Sequence, residues 1–250
     1  MSNVFGNLLS SIKFGFCECY GDGFKGFLRM LALLITFCIP IVFFIPVGVI
    51  MKILRGEKPD FTNAGQSFIR GLLFVVIALI YMLIPILLFA IFGGADLILK
   101  MTGDEIGVLF SGIVGIGSVG WFSMIPAMVS TDTIVLLESI AGNVGLIVSI
   151  VVAVLLGLVL VPAEINFVRN GFSAAFKFSE IFGMISKVGF VNYIFSYIDI
   201  IVFCIIVTVI LSLIDKIPFV GYIAGFIALV IVTIPVTFCE YKFWANLFAE

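Results

Sequence analysis

The chain has 250 residues, 63% of them hydrophobic and 11% charged, where a soluble domain carries about 45–50% apolar and about 25% charged residues. That leaves too little polar cover for water, so the fold is built for lipid and no sizeable soluble domain fits. A net charge of −2 gives no basic field for nucleic acid, and the lack of any histidine removes Ser-His-Asp and Cys-His mechanisms together with the commonest metal ligand.

From the N-terminus, Phe5, Leu8, Leu9, Ile12 and Phe16 recur at helical spacing, while Asn7, Ser10, Ser11 and Lys13 fall elsewhere. This predicts an amphipathic helix over about residues 3–17, lying in the membrane interface or packed on the protein's own membrane domain. It lacks the basic start, apolar core and small-residue cleavage site of a secretory signal. Cys17 and Cys19 form a lone C-x-C, with no second cysteine pair and no histidine to complete a metal site. Cys38, Cys204 and Cys239 lie inside apolar runs and read as small hydrophobes. No metal or cofactor is expected.

Six apolar runs follow, at about 27–54, 72–92, 106–129, 144–162, 191–213 and 220–239. A backbone inside hydrocarbon must satisfy its own hydrogen bonds, so runs of this length are helices. The expectation is an all-α integral membrane protein with about six membrane-inserted helical segments plus two interfacial amphipathic helices. Residues 1–250 form a single membrane domain. It comprises an amphipathic segment at 1–26, four inserted segments within 27–162, an amphipathic connection at 163–190 and two inserted segments within 191–250.

Pro40, Pro46, Pro85, Pro126, Pro162 and Pro235 fall inside or at the end of these runs and bend them. The third run carries Gly112, Gly115 and Gly120, whose missing side chains allow close helix–helix packing or self-association. Six full crossings leave Lys and Arg nearly balanced across the membrane, against the positive-inside rule. If runs one and three are re-entrant, most of the basic residues gather on one side. The connection at 171–188 sets Ser173, Lys177, Glu180 and Lys187 on one stripe against Phe172, Phe176, Ile181, Phe182, Ile185 and Val188, a second interfacial pattern.

Two stretches carry a family resemblance. The first is Gly48-Val49-Ile50-Met51-Lys52-Ile53-Leu54-Arg55-Gly56-Glu57-Lys58-Pro59-Asp60-Phe61, followed by Gly65-Gln66-Ser67-Phe68-Ile69-Arg70-Gly71. The second is Pro162-Ala163-Glu164 with Phe172-Ser173-Ala174-Ala175-Phe176-Lys177-Phe178-Ser179-Glu180-Ile181. They resemble an archaeal and bacterial multi-pass membrane protein family of unknown function (domain of unknown function 4013), in which tryptophan usually stands at Phe61 or Ala64. The resemblance implies a membrane fold and address, and no reaction or active-site residue.

Ionisable residues inside apolar runs are costly and therefore functional candidates. Asp199 lies deepest, about two turns into the fifth run, with Asn192 and Ser196 on the same helical face. The set reads as an intramembrane cation or proton site, or as a polar clamp between helices. Glu164 with Arg169 reads as a local ion pair near the headgroups. Glu240 and Lys242 read as the interfacial end of run six, with Tyr241 and Trp244 as belt aromatics. Asp132 and Glu138 read as a solvated turn.

The leading functional expectation is a non-catalytic membrane protein of structural, scaffold or accessory type, in contact with membrane lipid and assembled with itself or a membrane-protein partner. The alternative is a small transporter or channel using Asp199 and kinked helices. A membrane-embedded enzyme ranks last: proteolysis by paired aspartates needs a second intramembrane Asp opposite Asp199, and the apolar runs supply none.

Overall fold

The computed structural model describes residues 2–37, 39, 41–94, 143–215, 217 and 221–249. In chain order the helices are α1 (Ser2–Tyr20), α2 (Phe24–Phe37), α3 (Phe44–Leu54), α4 (Ala64–Phe89), α5 (Val144–Asn170), α6 (Phe178–Val188), α7 (Phe190–Asp215) and α8 (Gly221–Leu247). A π turn at Ala90–Gly94 extends α4, and a 3-10 turn at Phe172–Phe176 precedes α6. Among the described residues, three helices are long and apolar enough to cross a membrane: Ala64–Phe92, Val144–Asn170 and Phe190–Leu211. They expose Leu79, Leu83, Val151, Leu155, Ile198 and Val202, an outer surface suited to hydrocarbon rather than water.

The segment at 106–129, with Gly112, Gly115 and Gly120, lies outside the described residues, as do Cys38, Pro40, Asp132 and Glu138. The first apolar run departs from a single inserted helix. It divides into α2 of 14 residues and α3 of 11 residues, about 21 Å and 17 Å long at 1.5 Å per residue, each short of the roughly 30 Å hydrocarbon core. The helical path is broken near Ile41, whose φ is 72°, and α2 and α3 pack against each other. Pro46 is accommodated in the first turn of α3, where a missing N–H costs little.

The Arg55-Gly56-Glu57 stretch ends α3. The Gly56 N–H donates to Ile53 O at 2.9 Å and the Glu57 N–H to Lys52 O at 2.9 Å, a Schellman cap. It requires the left-handed φ of 75° that Gly56 supplies. The following loop is fastened from beneath by Lys52. Its buried ammonium donates to Asp60 O at 2.9 Å, Asp60 Oδ1 at 2.6 Å and Thr62 O at 2.8 Å.

The described residues group into two compact units, one drawn from Met1–Phe74 with Pro162–Glu250 and the other from Val75–Val161. In the first, α8 is the hub: α1, α2, α3 and α7 all pack on it, α1 most extensively. The buried face of α1 is Leu8, Ser11, Gly15 and Cys19, while Phe5, Leu9 and Phe16 of the apolar stripe stay exposed. Small residues let the backbones approach, and a Cβ on Gly15 would overlap the Pro235 carbonyl oxygen. Pro235 has no N–H to offer Ile231 O, and the Tyr20 hydroxyl donates to that carbonyl at 2.6 Å instead. Asn7 completes the seam, donating to Phe243 O at 3.1 Å and accepting from Asn246 Nδ2 at 2.9 Å. In the same unit α3 and α4 touch backbone to backbone, since a Cβ on Gly48 would overlap Ser67 O and one on Gly71 would overlap Phe44 O.

In the second unit, Asn143 caps α5. Its Oδ1 accepts from Gly145 N at 3.0 Å and Leu146 N at 3.3 Å, and its Nδ2 donates to Phe92 O at 2.8 Å.

Candidate functional site

The polar face expected on α7 is present, but Asn192 and Ser196 bond to backbone carbonyls close by in sequence. Asn192 is exposed and donates to Val188 O at 3.3 Å. Ser196 is buried and donates to Asn192 O at 2.8 Å. Asp199 is half-buried and makes no hydrogen bond or ion pair among the described residues. Position on one face therefore does not join these three into a bonded set.

A different carboxylate is buried. The stretch from Leu160 to Val168 at the end of α5 is enclosed throughout, and Glu164 within it is 2% exposed. Glu164 Oε1 has no hydrogen-bond partner among the described residues, and buried Glu240 of α8 lies within range of its charge. The expected Glu164–Arg169 ion pair does not form: Arg169 is exposed on the outer side of the helix end. Glu240, Tyr241 and Trp244 at the end of α8 are all buried within the protein. The helix carries on past the apolar run and docks against α1 and α7, a contact that hydropathy of a single segment does not encode.

Aromatic rings pack around this region. Tyr197 lies 4.6 Å from Trp244 between ring centroids, and Tyr193 lies 5.8 Å from Phe248. Tyr193 and Tyr197 meet edge to face at 5.2 Å, and Phe243 and Trp244 at 5.3 Å. Their i, i+4 spacing on α7 and clustering at the end of α8 were legible in the sequence as a stripe; that the two stripes face each other was not.

The C-x-C pair is split by helix geometry. Cys17 is exposed and Cys19 buried, since residues two apart point to different sides of a helix. Burial pushes the Cys19 thiol up to about 12, so it is an inert packing group. Among the described residues no cluster of three or more Cys, Asp and Glu is placed to hold a metal.

The two stretches carrying the family resemblance converge. Arg55 Nε donates to Val168 O at 2.9 Å across 113 residues of sequence. Asn166 Nδ2 donates to Ala174 O at 2.8 Å and to Glu180 Oε2 at 3.1 Å, fastening the 3-10 turn and α6 to α5. The Lys177 and Asn166 bonds, Lys177 first, hold the Glu180 carboxyl below its ordinary value. The family described as protein of unknown function (DUF4013) matches the chain over residues 31–215. The chain belongs to this family. The matched region contains both converging stretches and all of α3 to α7. No characterised protein and no solved structure matches the chain.

Sequence reasoning missed Glu164 as an enclosed group and missed the close-packing glycines Gly15, Gly48 and Gly71. A signal existed for Gly15: Ser11, Gly15 and Cys19 repeat small residues every fourth position, the pattern that brings membrane helices together.

Proposed function

We propose that this chain is a non-catalytic, multi-pass protein of the cell membrane that acts as a structural or accessory component, assembling with itself or with a membrane-protein partner. Six segments enter the membrane in this reading, the first as the re-entrant pair α2–α3. α6 rests along the interface, with Phe178 and Phe182 toward the acyl chains, while α1 lies lengthwise on α8. The observation that carries the reading is the aromatic filling between α7 and α8. Tyr193, Tyr197, Phe243 and Trp244 occupy the space where a carrier would need a wettable path. Buried hydroxyls support it, because Ser196 and Thr237 donate to carbonyls of their own helices at 2.8 and 2.9 Å.

The partner contact is assigned to 106–129 through Gly112, Gly115 and Gly120. Light scattering of the detergent-solubilised protein tests it. The expected result is an assembly that Gly115→Leu with Gly120→Leu reduces to the monomer. A monomeric parent protein, or an unchanged assembly in the double variant, would overturn it.

One observation favours the alternative, a small transporter or channel for an ion or solute using Asp199. Glu164 is a fully enclosed carboxylic acid with an uncommitted oxygen, and such groups mark proton and cation pathways in membrane helices. Proton- or cation-linked flux in reconstituted vesicles that Glu164→Gln or Asp199→Asn abolishes would replace the scaffold reading.

A further inference from the structure

A cleft of about 190 Å³ opens in the first unit between the end of α3, the first turns of α4 and the end of α5, and it is lined by two arginines, Arg55 and Arg70. Arg55 commits one of its five N–H donors, Nε, to Val168 O at 2.9 Å. That bond aims the guanidinium and leaves the terminal amino groups available. Arg70 makes no hydrogen bond or ion pair among the described residues. The third cation, Lys52, is occupied by Asp60. Burial, and then the neighbouring Arg70 charge, hold the Arg55 guanidinium below its ordinary value, with Glu57 opposing as the weakest of the three influences. Two like charges are thus held near one opening, with Glu57 as the weak opposing charge on Arg55.

The remaining walls are apolar, including Gly48, Met51, Leu73 and Phe172. Arg70 stands seven residues into α4 and Val168 three from the end of α5. The cleft therefore lies at the ends of two membrane-length helices, at headgroup depth. It is smaller than the roughly 300–1,000 Å³ of sites for drug-sized molecules, a size suited to one headgroup fragment rather than a whole lipid.

We propose that this cleft binds the phosphate of an anionic membrane lipid, with Arg55 and Arg70 donating to the phosphate oxygens and Met51, Leu73 and Phe172 lying against the adjoining apolar part of the lipid. Guanidinium forks match phosphate geometry, and basic pockets between membrane helices hold anionic headgroups. The apolar walls favour a lipid over a free phosphate ester, which would need only the two cations. The assignment is independent of whether the protein is a scaffold or a carrier.

Titration of the full chain in neutral detergent with phosphatidylglycerol, phosphatidylcholine or glycerol 3-phosphate tests this, read as unfolding temperature and as lipid retained in native mass spectra. Phosphatidylglycerol is expected to raise the unfolding temperature and to be retained, and the other two are not. Arg70→Gln removes a side chain that holds nothing else in place and is expected to weaken phosphatidylglycerol binding by about tenfold or more. Arg55→Lys keeps the charge but loses the fork and is expected to weaken it less, while Lys25→Gln, an exposed cation outside the cleft, leaves it unchanged. Parent-like binding by Arg70→Gln, equal binding of phosphatidylcholine, or equal weakening by Lys25→Gln would overturn the site. Equal protection by glycerol 3-phosphate would overturn the lipid assignment and leave a soluble phosphate ester as ligand. If Arg70→Gln fails to fold, Arg55→Lys with parent-like affinity overturns the fork.

Discussion

Gly71→Ala adds one methyl group where the backbones of α3 and α4 touch, and its effect can be worked from the geometry. The new Cβ would overlap Phe44 O and stand 2.9 Å from Gly48 N. Both are main-chain atoms and cannot rotate aside, so the helices must separate. Forcing a methylene into a packed site costs about 1–3 kcal/mol. Alanine returns about 0.5–1 kcal/mol over glycine in a helix interior, which leaves a net loss of up to about 2.5 kcal/mol. At about 2–4 °C per kcal/mol for a chain of this size, the unfolding temperature in detergent falls by several degrees. Gly183→Ala in α6 is the matched control, because nothing lies within 4 Å of its Cβ position. There only the helix preference acts, and the unfolding temperature rises. Differential scanning fluorimetry of the two variants beside the parent gives the signs directly. A Gly71→Ala protein as stable as the parent, or shifts of the same sign in both variants, would refute the close-contact account.

Tyr20→Phe removes the donor to Ile231 O and is expected to cost about 1 kcal/mol. In a Pro235→Ala background, where the helix regains its own N–H for that carbonyl, the same change should cost close to nothing, and a double-mutant cycle on unfolding temperatures that shows no coupling would contradict the pairing. Maleimide at pH 7.5 should modify Cys17 and spare Cys19, whose thiol is pushed up to about 12 by burial, with peptide mapping as the readout. The Asp60 carboxyl is held below its ordinary value by hydrogen bonds from Lys52 and Thr62. A lowered folded-state pKa gives stability that is present above the unfolded value of about 3.9 and lost as pH falls through the folded value. The loop should therefore resist proteolysis at neutral pH and loosen only below about pH 4, and Asp60→Asn should remove that acid dependence.

The class of fold was legible from composition and run length alone. Too few polar residues to cover a globule in water mean lipid, and a backbone in lipid means helix, so α4, α5 and α7 fall where hydropathy puts them. The end of α3 was legible too, because Arg55-Gly56-Glu57 needs only local bonds to close its cap. The first run carries Pro40 and Pro46, and the sequence alone left open whether that run crosses. What the tertiary structure decided is which face meets which partner. The α1 helix turns Gly15 to α8, buries Leu8, Ser11 and Cys19, and leaves Phe5, Leu9 and Phe16 outside. In lipid an apolar stripe gains little by turning inward, and close backbone packing wins instead. Glu164, read from the sequence as half of an ion pair near the headgroups, is enclosed, with Glu240 of α8 within range of its charge. Arg55 meets Val168 across 113 residues of sequence, and no periodicity or propensity carries that information. Local patterns fix a helix and its two faces; the choice between the faces depends on the shape of a partner that lies elsewhere in the chain.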